Sequence, residues 1–96
     1  MTGNCGTVQW MAPEVLSNQQ YSEAADVYSF AIVLWEMFTA KCPFETLSQV
    51  QVAVEVAHRG ARPEIPVFVP TDVQSIIRAC WNQEWTHRPS AEQILM

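Results

Sequence analysis

The chain has 96 residues, 49% apolar and only 16% charged, and five basic against ten acidic groups give a net charge of −5. That is one small domain at most, too apolar for a disordered segment, and its acidic balance leaves no footprint for nucleic acid or an anionic membrane surface. A compact fold of this mass would expose about 5,600 Å² of the roughly 15,800 Å² in the unfolded chain, so a core is possible but small.

Met1 is followed by Thr2, Gly3 and Asn4, with neither the basic start nor the apolar run of a secretory signal. The longest uncharged stretch of the apolar centre, Val27 to Trp35, is shorter than the about 20 residues needed to span a bilayer. A cytoplasmic protein is expected. Cys5, Cys42 and Cys80 are odd in number and widely spaced, which fits reduced thiols better than a disulfide framework or a zinc site. His58 and His87 have no neighbouring ligand types and read as surface residues.

Residues 1–11 read as loop, with Gly3, Asn4 and Gly6 as breakers. Pro13 suits the first turn of a short helix, and Glu14 suits that helix's positive end. Asn18 to Tyr21 read as a connection. From Ser22, a good N-cap, to about Ala40 runs the strongest helical segment. Beyond Glu23 its only charges are Asp26 and Glu36, and Val27, Phe30, Ile32, Val33, Leu34, Trp35, Met37 and Phe38 make it apolar on every side. Such a helix is expected to be buried all round. A chain this short has little to surround it, so the sequence is expected to be part of something larger.

Pro43 stops the chain in a break from Lys41 to Phe44. Over residues 47–58, Val50, Val52, Val54 and Val56 alternate with Gln51, Ala53 and Glu55, which is strand period, while Leu47, Val50, Val54 and Ala57 also fit a helical stripe. Periodicity and β-branching favour a strand here. Gly60, Pro63, Pro66 and Pro70 mark residues 60–70 as an extended connection. Thr71 with Gln74 makes a capping box for an amphipathic helix whose stripe is Val73, Ile76, Ile77, Cys80 and Trp81. Ser90 with Gln93 makes another, for a helix that begins at Ala91 and has no room to finish before Met96. No internal repeat or low-complexity segment is visible.

Three blocks carry a resemblance. Residues 7–14 read T-V-Q-W-M-A-P-E, residues 26–36 read D-V-Y-S-F-A-I-V-L-W-E, and residues 80–90 read C-W-N-Q-E-W-T-H-R-P-S. In this order and spacing they resemble the C-terminal lobe of a eukaryotic protein kinase, of which the Ala12-Pro13-Glu14 triplet is one signature. The W-M-A-P-E and L-W-E wording and R-P-E-I-P at 62–66 look like the tyrosine-kinase-like branch of the serine/threonine kinases. Two positions depart from the common pattern: Ala31 stands where Gly is usual and Tyr28 where Trp is usual.

The resemblance implies a mainly α fold, the helical C-terminal part of a kinase domain, truncated at both ends. It makes residues 1–14 the end of an activation segment and 15–96 a helical subdomain, with 47–58 a helix against the strand reading. Gly6, Thr7, Val8 and Trp10 would belong to the substrate-docking loop, and Thr7 would help hold the catalytic aspartate and lysine. Val8 to Met11 would form the pocket for the residue after the acceptor. Glu14 would ion-pair with Arg88, and Asp26 would accept backbone amides of the catalytic loop. Thr2 would be an activation-segment residue open to phosphorylation. Taken singly, Thr7 also reads as a turn residue, Asp26 as a helix-end charge, and Glu14 and Arg88 as separate surface charges.

Phosphoryl transfer needs a Gly-rich loop, a nucleotide lysine, a catalytic Asp and a metal-binding Asp-Phe-Gly. Three glycines make no such loop, the one lysine is Lys41, the aspartates are Asp26 and Asp72, and residues 87–89 read H-R-P. No catalytic, cofactor or metal residue is therefore assigned, and ATP and Mg²⁺ are expected of the complete parent alone. Its partner would be a protein substrate, and the isolated chain is expected to self-associate. The alternative is a non-catalytic kinase-like module or remnant that binds a partner protein.

Overall fold

The computed structural model of the chain describes residues 8–17 and 21–95. A 3₁₀ turn at Val8–Trp10 leads to α1 (Pro13–Leu16), α2 (Glu23–Thr39), α3 (Gln49–Arg59), α4 (Thr71–Cys80), a second 3₁₀ turn at Trp85–His87, and α5 (Ala91–Leu95). No strand occurs among the described residues. The mainly α fold expected from the resemblance is therefore present.

The long helix α2 is the axis of the molecule. It packs on α4 and on both 3₁₀ turns, while α1 and the first turn pack on α3. Ala25, Tyr28, Ala31, Ile32 and Trp35 form its buried stripe and meet Val52, Val56, Ile77, Cys80 and Trp81 in one core. A helix apolar on every side in a chain with little to surround it is expected to keep apolar surface exposed, and α2 does. Phe30 is 42% exposed, Val33 41% and Met37 74%. Among the described residues the other helices are short, and none of them covers the opposite stripe of α2. The total accessible surface of 6069 Å² exceeds the about 5,600 Å² of a compact protein of this mass. The helix ends when Ala40 turns left-handed at φ 57° and donates its N–H to the Glu36 carbonyl.

The strand reading of 47–58 is overturned by α3. Ser48 accepts from the Gln51 N–H and Gln51 reaches back to the Ser48 N–H, a capping box the sequence reading passed over. Gly60 in the left-handed region closes the helix, with the Ala61 N–H bonded to the Glu55 carbonyl. Alternating valines do not share a helical face: Val52 and Val56, four apart, are buried, and Val50 and Val54 are exposed.

At α4 the expected capping box is absent. Pro70 occupies the cap position, so Thr71 lies one residue too deep, and Gln74 donates to the Val69 carbonyl instead. The box at Ser90 and Gln93 is formed, with bonds of 2.8 and 3.1 Å. Cys80 is a buried free thiol, its pKa pushed up by burial. The expectation of reduced thiols is corrected at Cys42, which is disulfide-bonded.

Candidate functional site

Of the residues assigned by resemblance, Thr2, Gly6 and Thr7 lie outside the described residues. Val8 and Trp10 bound the first 3₁₀ turn, Val8 half-buried and Trp10 buried. Met11 closes the turn onto the Val8 carbonyl at 3.1 Å. Ser29 of α2 donates to the Trp10 carbonyl at 2.5 Å, which fixes the turn against the central helix. Gln9 is buried, its side-chain carbonyl oxygen without a partner among the described residues.

Pro13 opens α1 at a position where its missing N–H costs nothing. Glu14 follows, and its carboxylate meets Arg88 from 74 residues away. Both oxygens are engaged: Nη1 donates to Oε2 and Nη2 to Oε1, each at 2.8 Å. Arginine's planar fork suits this two-point contact; a lysine would supply one point charge. Arg88 also donates to the Ala24 carbonyl at 2.8 Å and the Asn82 carbonyl at 2.9 Å. One buried side chain thus joins α1, α2 and the segment after α4. Burial pushes the Glu14 carboxyl up, but its bond to Arg88, a backbone bond and the charges of Arg88 and Arg62 outweigh that, and the net pKa lies below the ordinary 4.5.

Tyr28 completes the cluster. The Arg62 and Arg88 guanidiniums lie over its ring at 5.0 and 5.3 Å from the centroid, within cation–π range. Arg62 is anchored to the Trp81 and Ala61 carbonyls and the Gln83 amide. Sequence reasoning noted Tyr28 only as a departure and Arg62 only as part of a motif. Nothing in spacing alone brings residues 28, 62 and 88 together; the R-P of both 62–63 and 88–89 is the one shared signal.

Asp26 is exposed in the first turn of α2 and accepts the Tyr21 hydroxyl at Oδ1. It borders a groove of about 720 Å³ whose walls include Phe30, Trp85, Arg88 and Ile94. His58, His87 and Lys41 are exposed. Among the described residues no group of three His, Cys, Asp or Glu is placed to hold a metal, and no helix is long and apolar enough to cross a membrane. The described residues thus place no such group for the magnesium that a kinase uses with its nucleotide.

A family model described as protein tyrosine and serine/threonine kinase matches residues 2–96. The chain is 41% identical to serine/threonine-protein kinase STY17 of Arabidopsis thaliana over 99% of its own length, covering 17% of that protein. It is 41% identical to serine/threonine/tyrosine-protein kinase HT1 of the same plant over 97% of its length, covering 24% of the relative. Against mitogen-activated protein kinase kinase kinase 7 of Bos taurus the identity is 38% over 99% of the chain and 17% of the relative. The chain therefore spans less than a quarter of these relatives' length. The matching helical fold, the buried pair joining Ala-Pro-Glu to Arg-Pro, and the family match over nearly every residue lead to one conclusion: the chain belongs to the protein tyrosine and serine/threonine kinase family and is a portion of a kinase domain.

Proposed function

We propose that this chain is the substrate-docking and scaffold part of a serine/threonine kinase of the tyrosine-kinase-like branch, acting within a complete domain that transfers phosphate from ATP–Mg²⁺ to protein serine or threonine. Residues 1–14 end the activation segment and 15–96 form the helical subdomain. Gly6, Thr7, Val8 and Trp10 belong to the substrate-docking loop, where Thr7 helps hold the catalytic aspartate and lysine, and Asp26 accepts backbone amides of the catalytic loop. Thr2 is an activation-segment residue open to phosphorylation, and the working compartment is the cytoplasm.

The observation that carries this reading is the buried Glu14–Arg88 contact. It anchors the turn at Val8–Trp10 through α1 to the helical body, which gives the docking loop a rigid base. The uncovered stripe of Phe30, Val33 and Met37 on α2 is in keeping with a seat for the rest of the domain. Catalysis then requires groups supplied by the other segments.

The test is a chimera in which this chain replaces the matching residues of the STY17 kinase domain. It is expected to phosphorylate a serine/threonine peptide with ATP–Mg²⁺. The 96 residues alone should show neither transfer nor a melting shift with millimolar ATP–Mg²⁺, where a bound ligand at 100-fold over its Kd would stabilise by about 2.7 kcal/mol. An inactive chimera that folds, or transfer by the isolated chain, would sink the proposal.

A further inference from the structure

The Asp26 carboxylate offers about four acceptor sites on two oxygens. Among the described residues only one of its partners appears: the Tyr21 hydroxyl, which donates to Oδ1. Oδ2 has no partner there. Tyr21 lies five residues earlier, outside α2, and its side chain is 61% exposed. Core packing therefore does not account for this tyrosine; its ring is in water and its hydroxyl is engaged. The N-cap residue Ser22, between the two, makes no side-chain capping bond. The Asp26 carboxylate is thus held from outside the helix, by the segment that leads into it.

An aspartate's terminal torsion is broad and two-fold, so a free carboxylate at a helix start samples many orientations of its plane. A bond to one oxygen removes most of that freedom. It also leaves the second oxygen available, since each accepts independently. The hydrogen bond to Asp26 raises the Tyr21 hydroxyl above its ordinary pKa of 10.0.

We propose that Tyr21 is a positioning residue for Asp26: its hydroxyl fixes Oδ1 so that Oδ2 is oriented to accept backbone amides of the catalytic segment, provided that Asp26 has the role proposed above. Tyr21 then acts through Asp26 on how accurately the catalytic segment sits, and touches neither substrate nor nucleotide.

In the active STY17 chimera, Tyr21→Phe removes the hydroxyl and keeps the ring. It is expected to lower kcat about 3- to 10-fold, the effect of one charge-assisted hydrogen bond at a solvated site. KM for peptide and for ATP, and the melting temperature, should stay unchanged. In an Asp26→Asn background the same substitution should have no further effect. A lower melting temperature with unchanged kcat per folded enzyme would make Tyr21 merely structural and overturn the proposal. The two readings separate cleanly. If Asp26→Asn is silent, the role of Asp26 itself is wrong. If Asp26→Asn is damaging and Tyr21→Phe silent, only the role of Tyr21 falls. In the 96-residue chain, the carboxyl carbon resonance of Asp26 should move on Tyr21→Phe; an unmoved resonance overturns the proposal whatever the chimera does.

Discussion

The two faces of α2 carry side chains of similar hydrophobicity and end in opposite environments. One stripe, Tyr28, Ile32 and Trp35, is buried against α4 and the connection after α3, and the Trp35 indole donates to the Glu64 carbonyl at 2.7 Å. The other, Phe30, Val33 and Met37, faces solvent, and Phe30 lines a groove with Trp85 and Ile94. What distinguishes them is polar anchoring. The buried face brings together Glu14, Arg88, Arg62 and the Tyr28 ring through charges, carbonyls and ring contacts, with the Tyr28 hydroxyl left without a partner among the described residues, whereas Asp26 on the open side has one partner from the preceding segment. The buried face holds this chain together, and the open face carries no described segment.

Breaking the buried side should cost most. Arg88→Ala strands the Glu14 carboxylate in the interior and should destabilise by about 3–5 kcal/mol, most of what a small domain has. Glu14→Ala should cost a similar amount. The double mutant should cost far less than the sum, because neither charge is then left alone. Denaturant titration measures all three, and additivity would mean the pair is not a unit. The pair also sets a pH dependence. The folded Glu14 carboxyl titrates below its ordinary 4.5, so its stabilisation is present above that pH and is lost as pH falls through the lower folded value. Glu14→Gln should flatten that acid limb; an unchanged limb would place it on other carboxylates.

The two stripes themselves give the next contrast. Ile32→Ala removes a fully buried side chain and should cost about 2–4 kcal/mol. Met37→Ser, on the open stripe of the same helix, should change stability by less than about 0.5 kcal/mol. It should also reduce self-association in sedimentation velocity, since contiguous exposed apolar surface drives it. Equal costs at the two positions would mean that the open stripe is covered in solution.

The smallest effects test the helix starts. Ser48→Ala removes a formed capping box on α3 and should cost about 1 kcal/mol. Thr71→Ala, where no cap bond is made, should fall within about 0.5 kcal/mol. A reversed order in thermal melting would show that Thr71 caps α4 after all.

Much of the fold could be read from residues in one dimension. Pro13, the apolar run of α2, the break at Pro43 and the Ser90–Gln93 box announce elements whose signals are local and whose geometry is set within one turn. The period-2 valines of α3 misled because β-branching and alternation are weak against a capping box and a glycine C-cap, both equally local but given less weight. Thr71 misled by one residue, the error to which cap positions are most sensitive, because a shift of one changes which N–H groups are within reach.

By itself the sequence determined the helical class, the kinase family and the residue types able to pair across the chain. Only the tertiary structure decided that Tyr28 lies between Arg62 and Arg88, that Asp26 answers to Tyr21, and which stripe of α2 is dry. A hydrophobic pattern states what a side chain prefers, but burial depends on which other segments are close enough to exclude water. Along α2 that is true of one face and not the other.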